Sequence, residues 1–368
     1  MPRKPASPAR KATIHDVARE AGVSIGTASR ALNRAGRVSA AAIEAVQAAA
    51  ERLGYAPDAI AQSMRTRSTG VVGLLVSDMA NPLYARIVNA VEERLRRDGL
   101  ALLLGNTHND GARERDMIEF FRRRRVDGLV LGPCEAERPE LLDQLQAAGL
   151  PAVALDRDFS AQGSGVHVDH FGGALQATRY LLNLRHTRIV LMTSSHALRP
   201  SRERIAGFRA AFAERGLQPD EKLIRAERSA MEYAFSEALS LLSGPQPPTA
   251  FLCLGTRILA GVLQGVRHAG LQLAEDVSVV SIGDTDLSQL FQPAITSLTW
   301  DFEALGTAAA ELMLKRLPAR SGDEEAEPQR VVVVPQLVLR ESCGPAVPPA
   351  APAARSPRAA RTPRGAKA

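Results

Sequence analysis

A short stretch of the chain carries side chains that are suited to contacting DNA. Residues 24–34 read SIGTASRALNR, in which Ala28 and Ala31 recur at the spacing of one helix face. The opposite face begins with Ile25 and Gly26 and continues with hydroxyl, amide and guanidinium groups. A helix that enters a major groove needs a slim front, polar side chains for base edges and donors for phosphates. These residue types therefore predict binding to double-stranded DNA.

Three short helices are needed to position that face. Thr13, Ser24 and Ser39 each precede a helical pattern and can cap it, because a side-chain oxygen accepts a hydrogen bond from an early backbone N–H. Gly22 and Gly54 can end two of the helices, since glycine adopts the left-handed conformation without steric cost. The pattern is typical of a helix-turn-helix unit with a supporting helix, although ordinary helical bundles also contain short helices joined by glycine. The residues predicted to face inward are Ile14, Val17, Ala18, Ala21, Ala28, Ala31, Leu32, Ile43, Val46, Ala50 and Leu53. The residues predicted to contact DNA are Thr13, Ser24, Ile25, Gly26, Thr27, Ser29, Arg30, Asn33, Arg37 and Ser39.

The charge distribution agrees with a polyanionic partner. Residues 1–65 carry ten Lys or Arg and five Asp or Glu, and residues 344–368 carry five basic residues and no acidic one. The total of +6 therefore leaves −4 for residues 66–343, so that basic ends flank a slightly acidic body. The Pro/Ala/Arg-rich tail, residues 343–368, has too few apolar residues for a core and is expected to be disordered. Solubility alone is an alternative role for this tail.

Other features of the sequence exclude several classes of protein. The longest apolar runs have the length of strands, and the basic N-terminus precedes no apolar stretch, so neither a membrane span nor a secretory signal is expected. The three cysteines are widely separated, and the seven histidines are scattered. No phosphate-binding glycine motif and no nucleophile elbow occurs. We therefore expect no enzyme activity, no cofactor, no metal and a cytoplasmic, nucleoid-associated location.

From residue 71 onward, apolar runs alternate with amphipathic helical patterns in two successive series. The runs VVGLLV, LALLLGN and DGLVLG belong to the first series, and RIVLMT, TAFLCLG and VSVVSIG to the second. Such alternation predicts an α/β fold with two lobes of parallel sheet flanked by helices. Ligands of these folds bind at the carboxyl ends of the strands. The arginine run RRRR at 122–125 is interpreted as a solvated helix end, because cations are favoured there by the helix dipole.

The motifs together resemble the lactose/galactose repressor family of bacterial transcription regulators. The resemblance begins with TIHDVAREAGVSIGTASRALN, RVS and LGYAPDAIAQSMRT, and it continues to VPQLVLRES at 334–342. It implies an N-terminal helix-turn-helix domain and a two-lobed, periplasmic-binding-protein-like core. It also implies a repressor that binds a near-palindromic operator as a homodimer or tetramer and is controlled by a small effector. A small-molecule binding protein that does not regulate DNA is the alternative.

The resemblance gives the following domain boundaries. A basic arm covers residues 1–11, the helix-turn-helix domain 12–57, the hinge 58–69 and the effector core 70–342. The N-lobe is expected to contain about 70–168 and 299–327, and the C-lobe about 169–298 and 328–342. The chain is thus expected to cross between the lobes near 168–171, 298–301 and 327–331.

The hinge of the family inserts an apolar side chain into the minor groove of bound DNA. Met64 takes the position of the usual leucine here, with Ala61 beside it, so both are predicted DNA contacts. Asp58 replaces the asparagine that is more common in the family, which places a negative charge near phosphate. A plain linker is the alternative interpretation of residues 58–69.

Candidate effector contacts come from strand ends and from positions that match the family. The set is Asp78, Asn81, Leu83, Tyr84, Asp156, Arg204, Thr256 and Asp284. Arg204 matches a family arginine that binds the effector, since a guanidinium can bind a carboxylate or sugar hydroxyls in bidentate fashion. Asp156 has an alternative role in capping the next loop.

Two departures from the family suggest a distinct effector. Gly255-Thr256 stands where the family usually has Asn-Asp, and Ser229 is the nearest match to an aromatic residue that commonly stacks on the ligand. The loss of a carboxylate, with Arg157 and Arg202 as further cations, predicts a cationic pocket. A sugar acid or organic acid is therefore expected in preference to a neutral sugar, and loss of effector binding is the alternative.

Overall fold

The computed structural model describes residues 12–32, 37–55, 68–135, 138–317 and 327–346. The chain divides into two compact units, residues 1–69 and residues 70–368. The predicted DNA contacts Asn33, Ala61 and Met64 lie outside the described residues, as does most of the predicted hinge. Their roles therefore stay predictions.

The first unit contains three helices: α1 (Ile14–Glu20), α2 (Ile25–Leu32) and α3 (Ala40–Leu53). Alanine and valine side chains form its core because the helices cross closely; this core consists of Val17, Ala18, Ala28, Ala31, Val46, Ala49 and Ala50. The prediction that Leu53 faces inward is wrong, since 37% of the residue is exposed. Leu53 is the last residue of α3 and lies on its exposed side.

The second unit contains two six-stranded sheets, and helices pack against each sheet. The strands of the first sheet, in spatial order, are β2 (Ala101–Asn106), β1 (Val71–Val76), β3 (Gly128–Leu131), β4 (Ala152–Leu155), β5 (Ser164–Val168) and β11 (Arg330–Val333). Those of the second are β7 (Ile224–Glu227), β6 (Ile189–Ser194), β8 (Ala250–Leu254), β9 (Ser278–Ile282), β10 (Thr296–Thr299) and β12 (Gln336–Val338). All pairings are parallel except that of β12 with β10. The predicted α/β class is confirmed.

The helices cover the two sheets and define the two lobes. Those of the first lobe are α4 (Pro82–Arg97), α5 (Gly111–Arg123), α6 (Leu141–Ala147) and α12 (Phe302–Arg316). Those of the second are α7 (His170–Asn183), α8 (Arg199–Ala213), α9 (Met231–Leu242), α10 (Arg257–His268) and α11 (Asp286–Leu290). A 3-10 turn, Glu221–Leu223, precedes β7. Central strands such as β1, β3 and β9 are buried on both faces, which explains their continuous apolar runs.

The chain passes between the sheets three times among the described residues, and the third passage differs from the prediction. The first two passages follow β5 and β10. The third was expected at 327–331, but β11 still pairs with β5, from Arg330–Gly165 to Val333–Val168. The passage therefore lies between β11 and β12, at residues 334–335. The sequence VVVV suits either sheet, so its pattern alone did not fix the boundary.

The predicted tail also begins too early. The carbonyl oxygen of Gly344 contacts Nε2 of His186 at 2.9 Å, and the backbone N–H of Ala346 donates to the carbonyl of Leu184 at 2.8 Å. Cys343 is only partly exposed and packs against the second lobe. Residues 343–346 therefore belong to the core domain.

Candidate effector cavity and DNA-binding helix

The N-terminal end of α2 presents a narrow exposed surface. Ser24 caps the helix, since its Oγ accepts from the backbone N–H of Thr27 at 3.1 Å and lies 2.9 Å from Oγ1 of Thr27. Ile25 is 45% exposed, and a Cβ built on Gly26 would come no closer than 3.9 Å to another group. Arg30 is exposed and its Nε donates to the carbonyl of Gly26 at 3.2 Å. This end of α2 therefore has the slim front that entry into a groove requires.

Thr13, Arg37 and Ser39 lie at or just before helix starts, and Ser29 lies within α2. Both the backbone N–H and the hydroxyl of Thr13 donate to the Asp16 carboxylate, at 3.0 and 2.7 Å. Ser39 caps α3 by accepting from Ala42 N–H at 3.4 Å, and Arg37 precedes it on the exposed surface. Ser29 on α2 is partly exposed. Their contacts with DNA stay predictions.

A cavity of about 120 Å³ lies between the two lobes, where the carboxyl ends of the strands face each other. It is lined by seven of the eight predicted effector contacts, namely Asp78, Asn81, Leu83, Tyr84, Asp156, Arg204 and Thr256. Other lining residues include Ser77, Asn109, His170, Ser194, Ser229, Gly255, Trp300 and Phe302. The structure thus brings these seven predicted contacts together in one cavity, and their binding of an effector stays a prediction.

Asp284, the eighth predicted contact, does not line the cavity. Its carboxylate oxygens accept from both terminal nitrogens of Arg340, at 2.7 and 2.8 Å, and from Ser288 and Gln289. Although burial opposes ionisation, these donors hold the pKa of Asp284 below its usual range. Asp284 therefore fixes the segment after β12 to the second lobe.

Three polar side chains in the cavity wall are connected by hydrogen bonds. One terminal nitrogen of Arg204 lies 3.1 Å from Nδ1 of His170, and Nε2 of His170 lies 2.8 Å from Oδ2 of Asp156. Because a guanidinium only donates, Nδ1 must accept, so the proton of the neutral imidazole is on Nε2 and is donated to Asp156. Asp156 belongs to the first lobe, while His170 and Arg204 lie on α7 and α8 of the second. These hydrogen bonds therefore link the two lobes.

Burial and charge fix the protonation states of these three side chains. Burial, and then the positive charge of Arg204, lower the pKa of His170 to about 4. Burial lowers the pKa of Arg204 to about 10, so it stays charged at neutral pH. Burial alone would raise the pKa of Asp156, but His170, Arg199 and Arg204 lower it to about 2. Asp156 and Arg204 therefore contribute one negative and one positive charge to the cavity wall, and these two charges balance.

Ion pairs between the lobes surround the cavity. Asp156 lies 3.4 Å from Arg199 on α8, and Asp158 accepts from Arg202 of the same helix. On the other side, Asp78 lies 2.8 Å from Arg257 at the start of α10. Each carboxylate belongs to the first lobe and each guanidinium to the second, so these contacts hold the lobes together.

The structure contradicts the predicted surplus of cations. Arg157 is fully buried within the first lobe, where it donates to Glu114 at 2.5 Å and to the carbonyl of Gly132 at 3.2 Å. Asp156 has φ +56°, which interrupts the strand alternation and turns the next residue inward. Arg202 is paired with Asp158 outside the cavity lining. Neither arginine therefore adds charge to the cavity.

Three atoms of lining residues are buried without a hydrogen-bond partner among the described residues. They are Nε of Arg204, Nε1 of Trp300 and Oδ1 of Asn109. Trp300, Asn109 and His170 were not among the predicted effector contacts. Trp300 follows β10 directly, so the strand-end rule applied to that strand would have found it. Two unpaired donors and one unpaired acceptor suit a ligand with hydroxyl groups.

The Gly255-Thr256 pair has a steric explanation. A Cβ on Gly255 would overlap the carbonyl oxygen of Gly283, so the two loops after β8 and β9 approach too closely for a side chain. Thr256 is the N-cap residue of α10, but its side chain makes no capping hydrogen bond. The asparagine of the usual family pair Asn-Asp is therefore incompatible with this backbone at position 255.

Among the described residues no group of three His, Cys, Asp or Glu side chains is arranged to bind a metal ion. Within the same ranges, no helix has both the length and the apolar character needed to cross a membrane.

Comparisons with known proteins identify the domain types of the chain. Residues 13–58 match the family of bacterial regulatory proteins, lacI family, and residues 178–343 match a periplasmic binding protein-like domain. The HTH-type transcriptional repressor PurR of Vibrio parahaemolyticus is 31% identical over 334 residues, which cover 90% of this chain and 98% of that protein.

Two solved structures resemble the whole described architecture. The transcriptional regulator CelR–cellobiose complex is 30% identical, with a TM-score of 0.67 over 90% of this chain and 99% of that one. The lac repressor dimer bound to operator and the anti-inducer ONPF is 26% identical, with a TM-score of 0.77 over 90% and 99% of the two chains. With a relative above 30% identity aligned over nearly its full length, this chain belongs to the lacI family of bacterial transcription regulators.

Proposed function

We propose that this protein is a transcriptional repressor that binds a near-palindromic operator as a homodimer, in the cytoplasm, and that a small polar effector in the interlobe cavity controls this binding. The proposal is carried by two features that occur in the same polypeptide: the exposed, narrow N-terminal end of α2 and the cavity between the two lobes. The relatives support it, since one is named a repressor and another was solved with operator DNA.

The operator contacts follow from the exposed groups of α2. Ile25 and Gly26 lie at the narrow front, nearest to the base edges, while Arg30 supplies a cation for phosphate. A dimer would place two such helices one helical turn of DNA apart, which is why a palindromic site is expected. Met64 of each chain is proposed to open the minor-groove step at the centre.

The effector is proposed to be a neutral polyhydroxy compound, such as a sugar. The charges of Asp156 and Arg204 balance, because His170 is neutral, and Asp78 is paired with Arg257. An acidic ligand would therefore add an unpaired negative charge to a site with no surplus cation, which is costly when buried. Hydroxyl groups, by contrast, can donate to Asp156 or Asn109 and accept from Arg204 or Trp300. This reverses the preference for an acid that was drawn from the sequence.

The DNA-binding proposal is tested by selecting duplexes from a random library with the full-length protein. We expect a palindromic consensus whose affinity decreases steeply with salt, because phosphate contacts release counterions. Binding that is weak, indifferent to salt and equal for all sequences would refute the repressor and favour the alternative, a small-molecule binding protein.

The effector proposal is tested by thermal unfolding with a panel of neutral sugars, sugar acids, organic acids and purines. A ligand at one hundred times its dissociation constant adds about 2.7 kcal/mol to the stability of the core. Trp300 is the only tryptophan and lines the cavity, so its fluorescence provides a second signal. Stabilisation by acids alone would overturn the neutral-ligand proposal without affecting the repressor. An Arg204→Met variant should lose the response of a genuine cavity ligand.

A further inference from the structure

One of the ion pairs between the lobes lies away from the places where the chain crosses between them. The crossings follow β5, β10 and β11, which lie at or next to one edge of their sheets. Asp78 follows β1, the third strand from β5, and Arg257 follows β8, the second strand from β10. At a strand spacing of about 4.8 Å, these positions are about 14 and about 10 Å from the crossing strands.

A change in the angle between the lobes would separate this pair more than the contacts beside the crossings. When two lobes open about a hinge, groups move apart in proportion to their distance from that hinge. Asp156 follows β4, next to β5, and its partner His170 begins the helix after β5, so this contact lies near a crossing. The Asp78–Arg257 pair is therefore better placed to oppose opening.

The turn before α4 orients the Asp78 carboxylate within the first lobe. Its Oδ1 accepts from the backbone N–H of Ala80 at 3.0 Å, and its carbonyl accepts from the N–H of Asn81 at 3.1 Å. Asn81 in turn caps α4. The other carboxylate oxygen, Oδ2, lies 2.8 Å from a terminal nitrogen of Arg257. Because the carboxylate is already oriented, little side-chain entropy is lost when the pair forms.

Arg257 stands at a position where its own helix disfavours a cation. It is the first residue of the 12-residue α10, whose first turn contains no acidic residue. The N-terminus of a helix carries about half a positive charge, so a cation there is destabilising. A long contact of 3.5 Å to the carbonyl of Ser229 is the guanidinium's hydrogen bond to its own lobe. The helix therefore does not account for this arginine, whereas the charge of Asp78 does.

We propose that the pair of Asp78 and Arg257 is a latch, which holds the lobes closed over the cavity and sets the fraction of molecules in which they are closed. Asp78 and Thr256 line the cavity, and Arg257 follows Thr256 directly, so the latch lies at the edge of the effector site. A ligand that contacts both lobes binds the closed arrangement, so the latch raises its apparent affinity. This consequence deepens the proposed function and rests on it.

The experiment reverses each charge, and then both charges, in the full-length protein. Arg257→Glu places two carboxylates opposite each other, yet it suits the N-terminus of α10, so the helix itself should be stabilised. Asp78→Arg creates the opposite repulsion, and the double variant restores an ion pair with its direction reversed. Arg267→Glu is the matched control, because it makes the same charge change in the last turn of the same helix. Thermal unfolding of each variant verifies that the fold is intact.

The readout is the quenching of Trp300 fluorescence by acrylamide. Trp300 is the only tryptophan, lines the cavity and has a buried Nε1, so opening of the lobes should expose it to the quencher. Loss of a partly exposed ion pair shifts an equilibrium by about 1.5- to 5-fold, and repulsion between like charges adds a shift of similar size. We therefore expect a higher quenching constant in each single variant and the value of the unmodified protein in the double variant.

Salt provides a second test of the same contact. Both side chains of the pair are partly exposed, so dissolved ions can screen it. Between about 0.1 and about 1 M KCl the Debye length falls from about 10 to about 3 Å. The difference in quenching between Arg257→Glu and the unmodified protein should therefore shrink over this range, whatever the other ion pairs between the lobes contribute to both proteins.

The outcomes separate the latch from the proposed function. Restoration in the double variant supports the latch, because purely structural losses would accumulate instead. The latch is overturned by an unchanged quenching constant in Arg257→Glu, by an equal increase in Arg267→Glu, by a double variant quenched more than either single variant, or by a difference that salt leaves unaltered. These measurements need neither effector nor DNA, so a failed latch leaves the repressor and effector proposals to be decided by the duplex selection and the ligand panel.

Discussion

Acidification should destabilise the core domain through His170, and the size of the effect follows from its surroundings. The imidazole is 3% exposed and is contacted by Asp156 and Arg204, and burial lowers its pKa from 6.5 to about 4. Between pH 6.5 and 4 the unfolded chain therefore binds a proton that the folded chain does not. Stability rises with pH wherever the unfolded state binds more protons, so it should decrease as the pH falls through this window. A difference of 2.5 pKa units corresponds to about 3 kcal/mol.

The assay is urea unfolding followed by the fluorescence of Trp300 at several pH values from 7.5 to 4. Trp300 is the single tryptophan and its ring centroid lies 5.8 Å from that of His170, so the signal reports on the core unit. Burial also lowers the pKa values of His167 and His186, which adds to the acid sensitivity of the unmodified protein. The informative quantity is therefore the difference between the unmodified protein and His170→Gln.

We expect His170→Gln to be less stable at neutral pH but to lose about 3 kcal/mol less on acidification to pH 4. The matched control is His196→Gln, which removes an exposed histidine from the same lobe. Equal losses in the unmodified protein and in His170→Gln would show that His170 is not held neutral. The assignment of its Nε2 proton and the charge balance of the cavity would then both be wrong.

Three further predictions concern single residues. Gly26→Glu should fold normally, because a Cβ at this position has open space. It should nevertheless abolish specific operator binding, because it places a carboxylate against the DNA. Unchanged operator affinity in an anisotropy titration would refute the position of α2 in the groove. Asp284→Ala should destabilise the core by about 1–3 kcal/mol in urea unfolding, because the pair with Arg340 is lost. The affinity for the effector should not change. A reduced effector affinity in this variant would show that Asp284 belongs to the effector site. Gly255→Ala should lower the free energy of unfolding by about 1–3 kcal/mol in the same assay, because its Cβ overlaps the carbonyl of Gly283. An unchanged free energy of unfolding would show that this loop relaxes freely.

Residue types and their spacing in the sequence predicted most of the fold and much of the site. Ser24 and Ser39 cap helices as their residue types indicated, and apolar runs became buried strands. The carboxyl ends of parallel strands converge, which is why strand-end residues such as Asp78 and Asp156 line one cavity. These features depend on interactions between residues close in sequence or on the geometry of a whole sheet.

The errors occurred where a distant partner or one unusual backbone angle decided the outcome. Asp284 follows a strand as the other candidates do, but Arg340, 56 positions away, binds its carboxylate. Arg157 is adjacent to Asp156, whose positive φ reverses the expected alternation and directs the arginine into the first lobe. Neither a tertiary ion pair nor a left-handed residue outside glycine has a reliable signal in a single sequence.

The contacts between the lobes suggest how an effector would act on DNA binding. Asp156 bridges to His170 and Arg199, and Asp78 bridges to Arg257, so the cavity wall and the contacts that join the lobes share the same side chains. A ligand that accepts from Arg204 or donates to Asp156 must change the strength of these bridges. The chain crosses between the lobes three times, and Gly70, where the second unit begins, is hydrogen-bonded to Asp127 of the first lobe. The effector and the operator must then alter each other's affinity by the same factor, whichever direction the coupling has.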